Sequence, residues 1–202
     1  MGSYLNPGNK GFQESLNSEI YVDKTGLIEK TNEVLDTRQK FLCVSRPRRF
    51  GKSMAADMLA AYYERGEDSA ELFGTLKISK VESYEKNRNQ YDIIKVNMQE
   101  FLSMTHSMDE MLSMLQKYLI FDLTDHFDNV RFRDENNLIQ VMKDIYSKTK
   151  HSFVILIDEW DCLFREYQQD QEAQKKYLDF LRAWLKDKDY VALAYKTGIL
   201  PI

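Results

Sequence analysis

The chain has 202 residues, 43% of them hydrophobic and 30% charged, with a net charge of −4. That balance suits one soluble globular domain over 1–202 with a sizeable core. It gives no global basic footprint for nucleic acid, and no apolar run reaches the length of a membrane span. Cys43 and Cys162 are too few for a disulfide scaffold or a zinc site, and the stretch from Met1 to Pro7 lacks the charged-then-apolar order of a secretion signal. A reducing cytoplasm is the expected location.

The first apolar run is Phe41-Leu42-Cys43-Val44, read as a strand with Cys43 as a small buried residue. It enters a basic loop containing Arg46, Arg48 and Arg49, then Gly51-Lys52-Ser53, then a helical pattern. Strand, loop and helix in that order form the context of a phosphate-binding loop. Gly51 lets backbone amides approach a phosphate at a helix N-terminus, Lys52 reaches the β- and γ-phosphates, and Ser53 holds Mg2+. Arg48, Arg49, Phe50 and Met54 complete the expected nucleotide-binding set. The motif asks for glycine six positions before Lys52, where this chain has Arg46. The three arginines suit phosphate by their planar donors, with pairing to acidic partners or guidance of DNA as alternatives.

Helical spacing continues through Met58/Leu59 and Tyr62/Tyr63, with Gly66 as the expected stop. Residues 79–91 are polar and read as a surface connection, followed by a strand over 92–98. Met108, Met111, Leu112, Leu115 and Leu119 form a helical stripe suited to a core. A further helix is marked by Leu138, Met142, Ile145 and Tyr146.

Residues 153–159 then read Phe-Val-Ile-Leu-Ile-Asp-Glu. A run apolar on both faces suits a central strand of a parallel sheet, and its carboxylates fall at the sheet's carboxyl edge, where ligands bind. Asp158 fits a Mg2+-holding role and Glu159 the base that orients an attacking water. The plainer alternative is a strand that ends in a solvated helix start. Asp161 is by default a solvated loop acid, with support of the site as the alternative, and Trp160 is packing. Ala173, Tyr177, Phe180, Leu181 and Trp184 mark another helix before a strand over 190–196. Thr197, just after it, occupies a polar sensor position or an ordinary Thr-Gly turn. His106, His126 and His151 show no ligand or triad spacing.

Alternating strands and helices imply an α/β fold, a RecA-like P-loop sheet with helices on both faces. The chain resembles the bacterial AAA-ATPase-like family through four stretches: Tyr21-Val22-Asp23-Lys24-Thr25, Ser45 to Ser53, Ile157-Asp158-Glu159-Trp160-Asp161 and Thr197 to Ile202. Members often carry a nuclease-like domain of the PD-(D/E)XK type after the ATPase core. The resemblance implies a RecA-like ATPase core whose P-loop lacks the first glycine by family pattern, and places the Tyr21–Thr25 stretch near the adenine, with a structural capping role for Asp23 or Thr25 as the alternative. Because the sequence stops just past the sensor strand, the expectation is the N-terminal part of a longer architecture, with no nuclease activity assigned.

The leading expectation is Mg2+-dependent ATP binding and hydrolysis, with Lys52 and Glu159 as catalytic residues. The alternative is a nucleotide-gated interaction switch, or a remnant that binds ATP with little turnover. Self-association is expected through an uncovered flank beside the P-loop strand. Contact with nucleic acid rests on family analogy alone.

Overall fold

The computed structural model describes residues 2–200, so Met1, Pro201 and Ile202 lie outside the described residues. Four strands, β1 (Phe41–Ser45), β2 (Asp92–Asn97), β3 (Phe153–Asp158) and β4 (Val191–Gly198), form one parallel sheet in the order β1-β4-β3-β2. All six residues of β3 are buried, as a strand between two neighbours and under helices on both faces must be.

Strand alternation sorts the apolar side chains onto two faces. On one, Ile93, Val154, Leu156 and Leu193 pack under Phe12, Ile28, Leu59, Tyr62 and Phe73. These come from α1 (Lys10–Leu16), α2 (Gly26–Val34), α3 (Lys52–Tyr63) and α4 (Ala70–Phe73). A 3-10 turn over Lys77–Lys80 and the short α5 (Tyr84–Asn87) close this side. On the other face, Ile94, Val96, Phe153, Ile155 and Ile157 meet Met111, Leu115, Leu138, Met142, Tyr177 and Trp184. The covering helices are α6 (Met98–Ser103), α7 (Met108–His126), α8 (Leu138–Thr149), α9 (Cys162–Glu166) and α10 (Gln171–Leu185).

Short polar side chains set the starts of α7, α8 and α10. Ser107, Asn137 and Asp170 accept the backbone N–H of Glu110, Gln140 and Ala173. Each such cap contributes about 1 kcal/mol.

Several expectations are corrected. Cys43 is exposed, because β1 is an edge strand with β4 on one side and no strand on the other among the described residues. Phe41 is 42% exposed for the same reason. The helix after the P-loop stops at Tyr63, before Gly66, because the chain turns extended at Glu64 and bridges to Tyr91. The 79–91 connection is less superficial than its polarity suggests: Tyr84 is buried and its carbonyl accepts from the Tyr62 hydroxyl. His126 and His151 stand at 4.0 and 3.0 Å from the buried Asp92 carboxylate, which the linear spacing of histidines does not reveal.

Candidate nucleotide site at the carboxyl edge of the sheet

The order of strands brings three chain segments to one edge. Register pairs Val44 with Thr197 and Ser45 with Gly198 across β1 and β4, and Ile157 with Lys196 across β3 and β4. Asp158 therefore comes level with Thr197, and the loop after β1 opens beside both.

That loop is shaped by three backbone positions. Arg46, where a glycine was expected, donates its N–H to Gly198 O at 3.1 Å and so prolongs the strand pairing by one residue. It is not among the residues with positive φ, so glycine is not needed there. The left-handed positions come later, at Arg49 (φ 68) and Gly51 (φ 73). A side chain at Gly51 would also meet the Lys24 ammonium, 2.7 Å from an ideal Cβ. Glycine thus answers both the backbone and the space requirement at the start of α3.

Lys52 is buried, with its ammonium donating to the carbonyls of Arg46 (3.0 Å) and Pro47 (3.1 Å). The ammonium is therefore held inside the curve of the loop, where the first free N–H groups of α3 and its positive dipole end converge. Arg46, Arg48 and Arg49 are exposed and form no salt bridge among the described residues. The alternative that they pair with acidic partners within the described chain is not what the structure has.

Ser53 and Asp158 meet directly: the Ser53 hydroxyl donates to Asp158 Oδ2 at 2.6 Å. The other carboxylate oxygen accepts from the Thr197 hydroxyl and, at 2.9 Å, from the Glu159 N–H. Asp158 and Thr197 are 6% and 1% exposed, so this cluster is largely shielded from solvent. Glu159 sits at φ 50, a left-handed position that a glutamate adopts at some cost, and its carboxylate accepts from Arg165 at 2.5 Å.

Three residues stand at the site beyond those expected there, although the sequence allows Asp161 a supporting role and puts Lys24 in the stretch near the adenine. Asp161 is fully buried rather than solvated, and its Oδ2 accepts the N–H groups of Ile199 and Leu200 at 2.7 Å each. A Cβ at Gly198 would come within 2.8 Å of it, so the carboxylate needs the glycine as much as the amides. Lys24 donates at 3.1 Å to the carbonyl O of Phe50, two residues before Lys52. It is set there by Asp23, whose carboxylate holds Thr25 and the N–H of Lys77. Those hydrogen bonds outweigh burial and leave the Asp23 carboxyl below its ordinary pKa. Arg165 is the third. No spacing rule flags an arginine six positions beyond a carboxylate.

Beside the loop lies a groove of about 340 Å³ whose lining includes Tyr21, Val22, Lys24, Phe50 and Met54. Val22, Phe50 and Met54 are 65%, 60% and 40% exposed, an unusual gathering of open apolar side chains.

A β1-β4-β3-β2 parallel sheet with a Gly-Lys-Ser helix start and an acidic β3 terminus is the RecA-like fold of P-loop nucleoside triphosphatases. A family model described as predicted AAA-ATPase (AAA-ATPase-like) matches residues 8–202, and the chain belongs to that family. Membership implies nucleotide binding. No curated protein matches the chain significantly. No helix among the described residues is long and apolar enough to cross a membrane.

Proposed function

We propose that the chain binds ATP with Mg2+ and hydrolyses it. The observation that carries this reading is the meeting of Ser53, Asp158 and Thr197 at the mouth of the Lys52 loop. Phosphates would lie against the loop amides from Arg48 to Met54, with Lys52 exchanging its two carbonyl partners for phosphate oxygens. Charge-assisted contacts of that kind contribute about 1.5–3 kcal/mol each.

The donor set fits Mg2+. Ser53 and Asp158 offer hard oxygens, and no group of three or more His, Cys, Asp or Glu side chains among the described residues forms a larger metal cage. That ion keeps several waters and takes one or two protein ligands beside substrate phosphates. When bound it would neutralise charge developing on the phosphate oxygens.

Glu159 would accept the proton of the attacking water, and Thr197 would fix the Asp158 carboxylate that stands beside it. Lys52 would hold the transferred group in line. The groove over Val22, Phe50 and Met54 offers apolar surface for a purine, with Lys24 at the end nearest the phosphates.

Steady-state release of phosphate by the purified chain, with and without Mg2+ and beside Glu159→Gln, tests the reading. The substitution is expected to keep ATP affinity and lower turnover roughly a hundredfold or more, as removal of a general base does. Equal turnover in the two proteins would remove Glu159 as base. The second reading, a nucleotide-gated switch with little turnover, is favoured by one observation: Arg165 already occupies the Glu159 carboxylate.

A further inference from the structure

Arg165 has no part in the hydrolytic step proposed above, yet its guanidinium is only half satisfied. Its Nη2 donates to Glu159 Oε2 at 2.5 Å and to Gln99 Oε1 at 3.3 Å. Its Nε and Nη1 are buried without a hydrogen-bond partner among the described residues. Asp161 Oδ1 is in the same condition, and it lies 4.0 Å from Arg165 Nη2. Unmet buried donors and acceptors are costly, more so when charged. Here the unmet Asp161 Oδ1 stands 4.0 Å from the very nitrogen that now holds Glu159, a gap that a rotation of the Arg165 head would close, while the other two guanidinium nitrogens have no partner among the described residues.

The two possible partners differ in mobility. Asp161 is pinned through its second oxygen by two backbone amides at the end of β4 and is fully buried. Glu159 is partly exposed, on a strained backbone position, and its carboxylate has no partner other than Arg165 among the described residues. The Arg165 head is therefore the element with two discrete seats, one on a fixed carboxylate and one on a movable carboxylate.

We infer that Arg165 is a switchable positioning residue: seated on Glu159 it restrains hydrolysis, and seated on Asp161 it releases the base. The inference rests on the reading of Glu159 as the base that receives the water's proton. While Arg165 occupies Oε2, that oxygen is not open to the water and the carboxylate is drawn toward α9. Moving the guanidinium to Asp161 satisfies Oδ1 and leaves Glu159 facing the loop. Asp161 grips Ile199 and Leu200, so any change in the path of the chain after β4 is felt at the seat that competes for Arg165. Turnover is thereby coupled to whatever engages the end of β4.

The test measures kcat and KM for Mg2+-ATP, together with affinity for a non-hydrolysable ATP analogue. The proteins are the wild type, Arg165→Ala, Arg165→Gln, Arg165→Lys, Asp161→Asn and the Asp161→Asn/Arg165→Ala double variant, with Glu159→Gln in the wild-type and Arg165→Ala backgrounds. Arg165→Ala and Arg165→Gln are expected to raise kcat roughly tenfold, as removing a dominant inactive arrangement does, with analogue affinity unchanged. Arg165→Lys keeps a cation and should stay near the wild-type rate. Asp161→Asn removes the charged alternative seat and should lower kcat. The double variant should match Arg165→Ala, because without the arginine the choice of seat no longer matters. Glu159→Gln should abolish the gain.

A merely structural arginine predicts lower stability and no rise in kcat. If both Arg165→Ala and Arg165→Gln leave kcat unchanged or reduce it while Glu159→Gln still cuts turnover, the switch is wrong and the ATPase reading stands. If wild type and Glu159→Gln turn over equally, the base assignment falls and the switch falls with it.

Discussion

The Ser53 hydroxyl and the Asp158 carboxylate, 105 residues apart in sequence, stand in a hydrogen bond of 2.6 Å. Strand order makes this possible: β4 fills the space between β1 and β3, and its Thr197 supplies the second contact to Asp158.

Asp158→Asn should sever the metal dependence of nucleotide binding while keeping the neutral contacts to Ser53 and Thr197. In the wild type, ATP affinity measured by calorimetry is expected to fall when EDTA removes Mg2+. In the variant, affinities with and without the chelator should coincide at the lower value. A variant that still responds to Mg2+ would argue against Asp158 as its holder.

Lys52→Ala is expected to weaken ATP binding by about 1.5–3 kcal/mol, the contribution of a charge-assisted contact in a shielded site. Lys24→Ala should cost less, about 0.5–1 kcal/mol, because its ammonium lies at an exposed position. Unchanged binding by a folded Lys52→Ala protein would refute the phosphate-loop assignment.

Glu64 makes stability depend on pH. Burial outweighs the hydrogen bond from the Gly8 N–H and lifts its pKa from 4.5 to about 7. A raised folded-state value means the native protein binds the proton more tightly than the unfolded chain. Its contribution is full below about pH 4.5 and is lost as pH rises through about 7. Urea midpoints between pH 5 and 8 should therefore decline less steeply for Glu64→Gln than for the wild type.

Ile155→Ala should destabilise the fold by about 2–5 kcal/mol, since the side chain is fully buried at the centre of β3 under helices of one face. Urea denaturation measures it directly. A cost below about 1 kcal/mol would mean the site collapses around the lost atoms.

Among the described residues no strand pairs with the outer edge of β1, and with the exposed Phe41 that edge is a template for pairing with another strand. Light scattering after size exclusion is expected to show association that grows with concentration, and Phe41→Lys should suppress it. A strictly monomeric wild type at every concentration would contradict this.

Much of the sheet was legible because buried parallel strands are short, apolar and bounded by the loops that carry the chemistry. The boundaries of β1, β2 and β3 follow their apolar runs closely. The Gly-Lys-Ser and Asp-Glu motifs were legible because one opens a helix and the other closes a strand, positions where side-chain type and backbone conformation are coupled. The N-terminal helices were not, since α1 and α2 are short and bury only two residues each. The settings of Lys24, Asp161 and Arg165 were hidden for a different reason. A charged residue announces neither its burial nor its partner until tertiary structure brings Phe50, Leu200 or Glu159 to it. Cys43 misled because an edge strand and a central strand can carry the same apolar pattern.

The two thiols of this chain differ sharply in reach. Cys162 is buried, with its thiol pushed up to about 12 chiefly by desolvation, whereas Cys43 stands open on β1. An alkylating fluorophore applied to the folded protein will therefore mark one position, two residues before Ser45. The native chain already contains a single-site reporter at the threshold of the loop, and emission from it can follow ligand entry without any engineered residue.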